Sequence, residues 1–231
     1  MATRRSLVLL TYNEIEAAPK VYDTIPFDAA DEVFGVDGGS KDGTIEFLRS
    51  KGLRVVVQQE RGRGIAFRLG ASEAQGEHVV YFSLDGNEDP KDVSRLFGEL
   101  EKGADMVIGS RMMKGAFNEE DIHWFRPRKW VNQAFTLGAN LSWNRGPYMT
   151  DTINGYRGVS KAAMARLNTD VKGFPIEFQM SIRAMKLGMK VAEFPTIEGQ
   201  RVGGVSTAES WTTGVEFIKL FWRELVVGSS F

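Results

Sequence analysis

The apolar run Val79-Val80-Tyr81-Phe82 breaks at Ser83-Leu84-Asp85-Gly86-Asn87-Glu88-Asp89-Pro90 into a cluster of oxygen-bearing side chains. Such a run suits a parallel strand covered on both faces, and open α/β sheets bind ligands at the carboxyl ends of their strands. The stretch therefore reads as a strand that delivers a metal-and-phosphate site at Ser83 to Asp89. At its first position, where a cation would favour a carboxylate, stands Ser83. Two further segments should end neighbouring strands on the same rim. Thr11-Tyr12-Asn13-Glu14 offers Glu14 as an acceptor of hydrogen bonds from a nucleobase or ribose. Val36-Asp37-Gly38-Gly39-Ser40-Lys41-Asp42-Gly43-Thr44 offers Asp37 for the same task, and its paired glycines permit close backbone approach or positive φ.

A fourth segment, Arg61-Gly62-Arg63-Gly64, is a basic, glycine-rich loop entering a helix, a setting that suits a diphosphate. It is not a dinucleotide fingerprint: Phe67 stands where the third glycine of G-x-G-x-x-G belongs, and the loop does not follow the first strand. No Walker A sequence occurs, which disfavours an ordinary P-loop ATPase or kinase. Of the two histidines, His78 sits at a strand start and reads as structural, and His123 lies in an aromatic, basic segment with no assigned role.

These loops need a sheet to hold them. Strand-like runs at residues 6–10, 32–36, 54–57, 79–82 and 106–108 alternate with amphipathic helical segments, the pattern of a parallel sheet with crossover helices. Ser40 or Asp42 can cap a helix over residues 43–50, and Asp89 with Pro90 opens another at Lys91. The second half mixes aromatic and basic residues from Met112 to Tyr148, then passes through a polar turn region, 150–155. Helical patterns return at 160–167 and 176–187, a strand is expected at 190–194, and 199–206 reads as a mobile glycine loop. The last helix, 215–227, has a wide apolar face. Packing on the domain is one reading of it, and a membrane-interface or dimerisation helix is the other.

With 231 residues, 42% of them hydrophobic, the chain can bury one large core or a core plus an appendage. A formal net charge of -1 gives no global field toward nucleic acid, so local positive groups must meet any anionic partner. The absence of cysteine removes disulfides, thiolate nucleophiles and Cys-based zinc sites, and fits a reducing compartment. The N-terminal apolar run, Leu7 to Leu10, is too short for a signal peptide, and no apolar stretch is long enough to cross a bilayer. The expectation is a cytoplasmic protein, soluble or peripheral, at the inner face of the cell membrane if its acceptor is lipid-linked.

In their order these motifs resemble family 2 glycosyltransferases of the GT-A fold, in particular the dolichyl-phosphate (polyprenyl-phosphate) mannose and glucose synthases. The resemblance takes in the Thr-Tyr-Asn-Glu opening, Val36–Thr44 as Val-Asp-Asp-Gly-Ser-x-Asp-Gly-Thr, Arg61–Gly64, and Asp85–Pro90 as Asp-Gly-x-x-Asp-Pro. It continues through Gly103 to Arg111 and Asp151-Thr152-x-Asn154-Gly155-Tyr156-Arg157. It implies one GT-A domain over 1–231, with a mostly parallel, Rossmann-like sheet flanked by helices. Residues 1–111 would form the nucleotide-sugar half, and 112–231 a smaller acceptor-binding elaboration ending in the amphipathic helix.

The resemblance also implies roles. Thr11, Tyr12, Glu14, Asp37, Gly39, Arg61, Gly64, Ser83 and Asp85 would line the donor site, with Glu14 and Asp37 on base and ribose. Asp85 and Asn87 would bind Mg²⁺ or Mn²⁺ through oxygen, and the cation would neutralise the leaving diphosphate. Arg111, Arg201 and one of Arg126 or Arg128, here Arg128, would grip an acceptor phosphate, because a guanidinium fork matches its oxygens. Asp151, Arg157 and Glu177 complete the acceptor-side candidates, and Asp85, Arg111 and Arg201 are those expected to carry the chemistry. The reaction would move a hexose from GDP-mannose, UDP-glucose or a UDP-N-acetylhexosamine to polyprenyl phosphate or another glycan acceptor. Direct displacement would invert the anomeric centre. An acceptor phosphate, with a second pKa of about 6, needs no strong general base. A hydroxyl acceptor would need one, and Asp151 or Glu177 are the candidates.

Three positions depart from the family pattern. Ser83 replaces the first Asp of Asp-x-Asp, Gly38 replaces the second Asp of Asp-Asp-Gly-Ser, and Gln179 stands where a second Glu of Glu-x-Glu is usual. Each removes negative charge from the expected donor rim, which weakens cation binding. A metal-assisted enzyme, one in which Arg61 and Arg63 neutralise the phosphates instead, and a non-catalytic nucleotide-sugar-binding module are the three consequences to separate.

Overall fold

The computed structural model describes residues 4–203, 210–229 and 231. The chain runs β1 (Arg5–Thr11), α1 (Ala18–Tyr22), β2 (Glu32–Asp37), α2 (Thr44–Ser50), β3 (Arg54–Val57), α3 (Arg63–Glu73), β4 (His78–Ser83), α4 (Asp92–Glu101) and β5 (Met106–Ser110). It continues with α5 (Pro127–Trp143), β6 (Arg157–Ser160), α6 (Lys161–Leu167), α7 (Ile176–Lys186), β7 (Val191–Pro195) and α8 (Ser210–Val227). The strands form one seven-stranded sheet in the order β3-β2-β1-β4-β6-β5-β7. Only β6 runs against its neighbours, antiparallel to both β4 and β5.

The alternation of side chains along β1 separates two apolar layers. Val8 and Leu10 enter the core shared with Phe34, Tyr81 and Phe178, while Leu7 and Leu9 enter the one shared with Phe82, Leu96 and Phe97. Burying each such side chain stabilises by about 1.5–3 kcal/mol, so a one-residue register slip on either side of β1 is heavily penalised. The register sets the rim. Thr11 pairs with Asp37 and Leu10 with Ser83, so the loops after β1, β2 and β4 leave the sheet side by side. Local chemistry starts two of the helices: Asp42, an expected cap, accepts from the Thr44 N–H through Oδ1 at 3.0 Å, and Ser160 caps α6 through the Ala163 N–H.

The second half differs from its sequence reading in three ways. The aromatic, basic region contains the 17-residue helix α5, which buries Thr136 and Asn140 and exposes Trp130, Val131, Leu137 and Leu141. Inward polar and outward apolar residues invert the periodicity by which a surface helix is recognised. The Tyr156-Arg157 segment opens strand β6, and the Arg157 side chain is fully buried. Finally, α8 buries Phe217, Leu220 and Glu224 while exposing Ile218, Trp222, Leu225 and Val226. Its anchor is electrostatic as well as apolar: Glu224, with no exposed surface, accepts from Arg183 Nε at 3.0 Å, Lys186 Nζ at 2.6 Å and Gln179 Nε2 at 3.0 Å. None of the helices among the described residues is long and apolar enough to cross a membrane. The expected glycine loop at 199–206 is described only through Gly203; its remainder lies outside the described residues.

Candidate active site

A cleft of about 290 Å³ opens at the carboxyl ends of β1, β2 and β4. Its walls include Thr11, Tyr12, Glu14, Arg61, Ser83, Asp85 and Arg201 from the sequence-based set, together with Gly38, Arg63 and Phe174. On one side the Arg61 guanidinium lies 4.5 Å above the Tyr12 ring, an aromatic–cation stack. That stack fills the space beside Gly38: a Cβ there would meet the Tyr12 ring at 3.0 Å and Arg61 Cγ at 3.4 Å. The missing second aspartate of the β2 loop and the stacked pair are thus two sides of one packing arrangement.

Asp37 has a different task from the one expected. Its Oδ1 accepts from the Gly39 and Ser40 N–H groups, and its Oδ2 from the Thr11 and Ser40 hydroxyls, all within 2.6–2.8 Å. With its acceptor sites used inside the protein, this fully buried carboxylate shapes the β2 turn. Gly39 lies in that turn at φ 87°, where glycine avoids the Cβ clash. Gly64 is likewise not free for a diphosphate. Its N–H donates to the Lys172 carbonyl at 2.8 Å, and a Cβ would lie 2.0 Å from the Val171 carbonyl oxygen, so the glycine is there for close packing.

Charge alternates across the cleft. Arg201 bridges two carboxylates, donating from Nη2 to Glu14 Oε1 at 2.6 Å and from Nη1 to Asp85 Oδ2 at 2.9 Å. Burial pushes Glu14 up to about 7, and the Arg201 charge only partly opposes it. Glu14 Oε2 is buried without a hydrogen-bond partner. Glu88, which sequence reading passed over, is the other perturbed acid. Burial, then the nearby Asp85 charge, raise it to about 8, while its Oε2 accepts from the Ser83 N–H at 2.7 Å. A carboxyl therefore does lie against Ser83, supplied from five residues further on. The signal was available: an acid in the loop directly after a buried strand. Arg63 is paired with Glu177, its Nε donating to Oε1.

Apart from Arg201, the acceptor-side candidates do not line this cleft. Asp151 receives Arg111 through Nε at 2.8 Å and Nη2 at 3.1 Å, and Arg111 Nη1 reaches Glu198 at 3.1 Å. Burial would raise the Asp151 carboxyl, but the guanidinium outweighs it and holds the group below the usual carboxylate range. Glu198, a second residue the sequence reading missed, is raised by burial against the pull of Arg111. Two expected acceptor ligands are placed otherwise. Arg157 is buried in the sheet, donating to the Asn154 and Glu177 carbonyls and the Ser181 hydroxyl; burial lowers its pKa to about 10. Arg128 is exposed and paired with Glu119 and Glu120. Gln179 does not face the donor rim at all: its amide bonds Asp170 and Glu224 under α8. Its neutrality therefore takes no charge from the cleft.

The donor set can be tested against a divalent cation. Among the described residues no group of three or more Asp, Glu and His side chains is placed to hold one. Asp85 and Asn87 nonetheless offer hard oxygen donors, and Asn87 Oδ1 is buried with no partner, the condition expected of an oxygen built for a ligand. The two residues fit an ion whose other ligands are water and phosphate, once Asp85 Oδ2 is free of Arg201.

Comparison with known proteins agrees with this fold. Relatives include glycosyltransferase AglJ of Haloferax volcanii, 30% identical over 219 residues that span 92% of this chain and 69% of that protein. An undecaprenyl-phosphate mannosyltransferase of Micrococcus luteus is 28% identical over 90% of this chain and 88% of its own length. Among solved structures, glucosyl-3-phosphoglycerate synthase from Mycobacterium tuberculosis, in complex with Mn²⁺, UDP-glucose and phosphoglyceric acid, superposes with a TM-score of 0.77 at 21% identity. That superposition covers 99% of this chain and 82% of the synthase. The sequence profile of Glycosyl transferase family 2 matches residues 6–162, and the chain belongs to that family.

Proposed function

We propose that the protein is an inverting hexosyltransferase that moves a sugar from a nucleotide donor to a polyprenyl phosphate. The observation that supports the choice of acceptor is the state of the two carboxylates expected as bases for a hydroxyl acceptor. Asp151 is locked to Arg111 and Glu177 to Arg63, so each is already engaged by a guanidinium. An acceptor phosphate, largely dianionic near neutral pH, attacks the anomeric carbon without a base. The new bond forms between a phosphate oxygen and C1 as the bond from C1 to the donor's diphosphate breaks, and the nucleoside diphosphate leaves with that electron pair.

In this reading the Tyr12–Arg61 stack and Glu14 receive the nucleoside, and Arg61 and Arg63 face the diphosphate across the cleft. Asp85 and Asn87 would hold a divalent cation, which would supply charge neutralisation for the leaving group. Arg201 supplies a fork-shaped donor for the acceptor phosphate, and Arg111, engaged by Asp151 and Glu198, braces the segment that carries it. Approach to a lipid is supported by the exposed apolar surface of α5 and α8. Trp130, Trp222 and Val226 lie on it, Trp124 and Phe125 are exposed just before α5, and Phe135, Phe221 and Trp222 line a groove of about 340 Å³ between the helices. The Micrococcus luteus relative is named for an undecaprenyl-phosphate acceptor, which agrees with this choice.

The test is incubation with Mn²⁺, a panel of GDP-mannose, UDP-glucose and UDP-N-acetylglucosamine, and either polyprenyl phosphate or 3-phosphoglycerate. Glycosylated polyprenyl phosphate that disappears in Asp85→Ala supports the proposal. Transfer to phosphoglycerate alone, or nucleotide binding with no transfer, overturns it.

A further inference from the structure

Arg201 stands where two other things are wanted. It fills the gap between Glu14 and Asp85 with a guanidinium, and it takes up the Asp85 oxygen that a donor-bound cation would need. Its Nε is buried without a partner, so the side chain is held by those two carboxylates and not by a complete cage of acceptors. The segment that carries it is laid along the β4 loop. Glu198 forms an antiparallel bridge with Glu88, the Gly199 N–H donates to the Asn87 carbonyl at 2.8 Å, and the Val202 N–H donates to the Asp85 carbonyl at 2.9 Å. The strap thus covers the backbone of both residues that would bind the cation. Its base is tethered independently, because Glu198 accepts from Arg111 at 3.1 Å and from Asn118 at 2.8 Å.

We infer that Arg201 is a latch: in the free enzyme its guanidinium occupies the Asp85 oxygen that the donor's cation would take and the Glu14 oxygen that would meet the nucleoside, and donor loading displaces it. The inference rests on the donor site proposed above and adds an order of events. The Nη1 and Nη2 groups that would form a fork on an acceptor phosphate are engaged by two carboxylates, whose charge also opposes an approaching phosphate, so Arg201 becomes available to the acceptor once cation and nucleotide have replaced it. Donor therefore binds before acceptor. The latch also explains why Asp85 and Glu14 can sit close together in the free protein, where two buried carboxylates without a cation between them would repel.

The test has a sign that distinguishes a latch from a donor-binding residue. Binding of Mn²⁺ alone, followed by electron paramagnetic resonance, and of Mn²⁺ with GDP or UDP, followed by calorimetry, is compared in the unmodified chain, Arg201→Gln and Arg201→Lys. Arg201→Gln should bind Mn²⁺ and its nucleotide complex about tenfold more tightly, with Arg201→Lys between, because an internal competitor has been removed. Inorganic phosphate, as a probe of the acceptor headgroup, should bind the unmodified chain only after Mn²⁺ and nucleotide. Equal or weaker Mn²⁺ binding in a folded Arg201→Gln chain, or phosphate binding indifferent to the nucleotide, overturns the latch and leaves the proposed function standing. Failure of both nucleotides to bind any of the chains sinks the proposed function, while the Mn²⁺-only comparison still decides the latch.

Discussion

Replacing Glu88 by glutamine should stabilise the protein, and by more as the pH rises. Glu88 is pushed from its ordinary 4.5 to about 8, first by burial and then by the Asp85 charge. The folded-state value lies above the unfolded one, so between the two the native state holds a proton that the unfolded chain has released. Stability is therefore greatest below the unfolded value and is lost as pH rises toward the folded one. Linkage between 4.5 and 8 gives a loss of about 1 kcal/mol at pH 5, about 3 kcal/mol at pH 7 and about 5 kcal/mol at pH 9. Glutamine has the shape of the protonated acid and can still accept from the Ser83 N–H, but it has no proton to lose. The advantage of Glu88→Gln should follow those three figures as upper bounds, read from urea denaturation midpoints at the three pH values. A variant less stable than the parent at pH 7, or an advantage that fails to widen between pH 5 and pH 9, would refute the reasoning.

Glu224→Ala should destabilise by about 3–5 kcal/mol, since it strands Arg183 and Lys186 without their buried partner; differential scanning calorimetry reads the loss, and a drop below about 1 kcal/mol would contradict it. Asp151→Asn should cost about 3 kcal/mol at neutral pH through the uncompensated Arg111. Because the Asp151 carboxyl is held low in the folded state, that difference should shrink as pH falls through its folded value, which acid titration of the two chains would show. Substituting Trp222 and Val226 by serine should reduce co-sedimentation with anionic phospholipid vesicles while leaving the melting temperature nearly unchanged, both side chains being exposed; unaltered sedimentation would remove the lipid-facing role.

The elements that were legible in the sequence are those where periodicity and burial agree. Residues 6–10, 32–36 and 79–82 carry near-continuous apolar runs, and each lies inside an observed strand because a strand covered on both faces needs such residues. Strand β6 escaped because its first residue is an arginine buried among carbonyls and its second a glycine, a combination with no apolar signature. Helix α5 escaped because its buried positions include a threonine and an asparagine. At the site, the motifs located the rim but not the pairing. The partners of Arg111, Arg63 and Arg201 lie 40, 114 and 187 residues away in sequence, and only the folded chain decides which carboxylate each arginine neutralises. The same holds for Asp37, whose motif position suggests a ligand contact but whose oxygens are used by its own turn.

The antiparallel strand β6 has a consequence for how this protein is made. Strands β3, β2, β1 and β4 are all present once residue 83 has left the ribosome, and they can pair without anything later in the chain. Strand β5 cannot join them, because its two neighbours, β6 and β7, have yet to be synthesised. The nascent chain must carry Met106–Ser110, five buried residues, unpaired until about fifty more have been added. A chain cut after residue 111 would keep that strand without a partner, so the first half should be an aggregation-prone fragment and not a transplantable nucleotide-binding module.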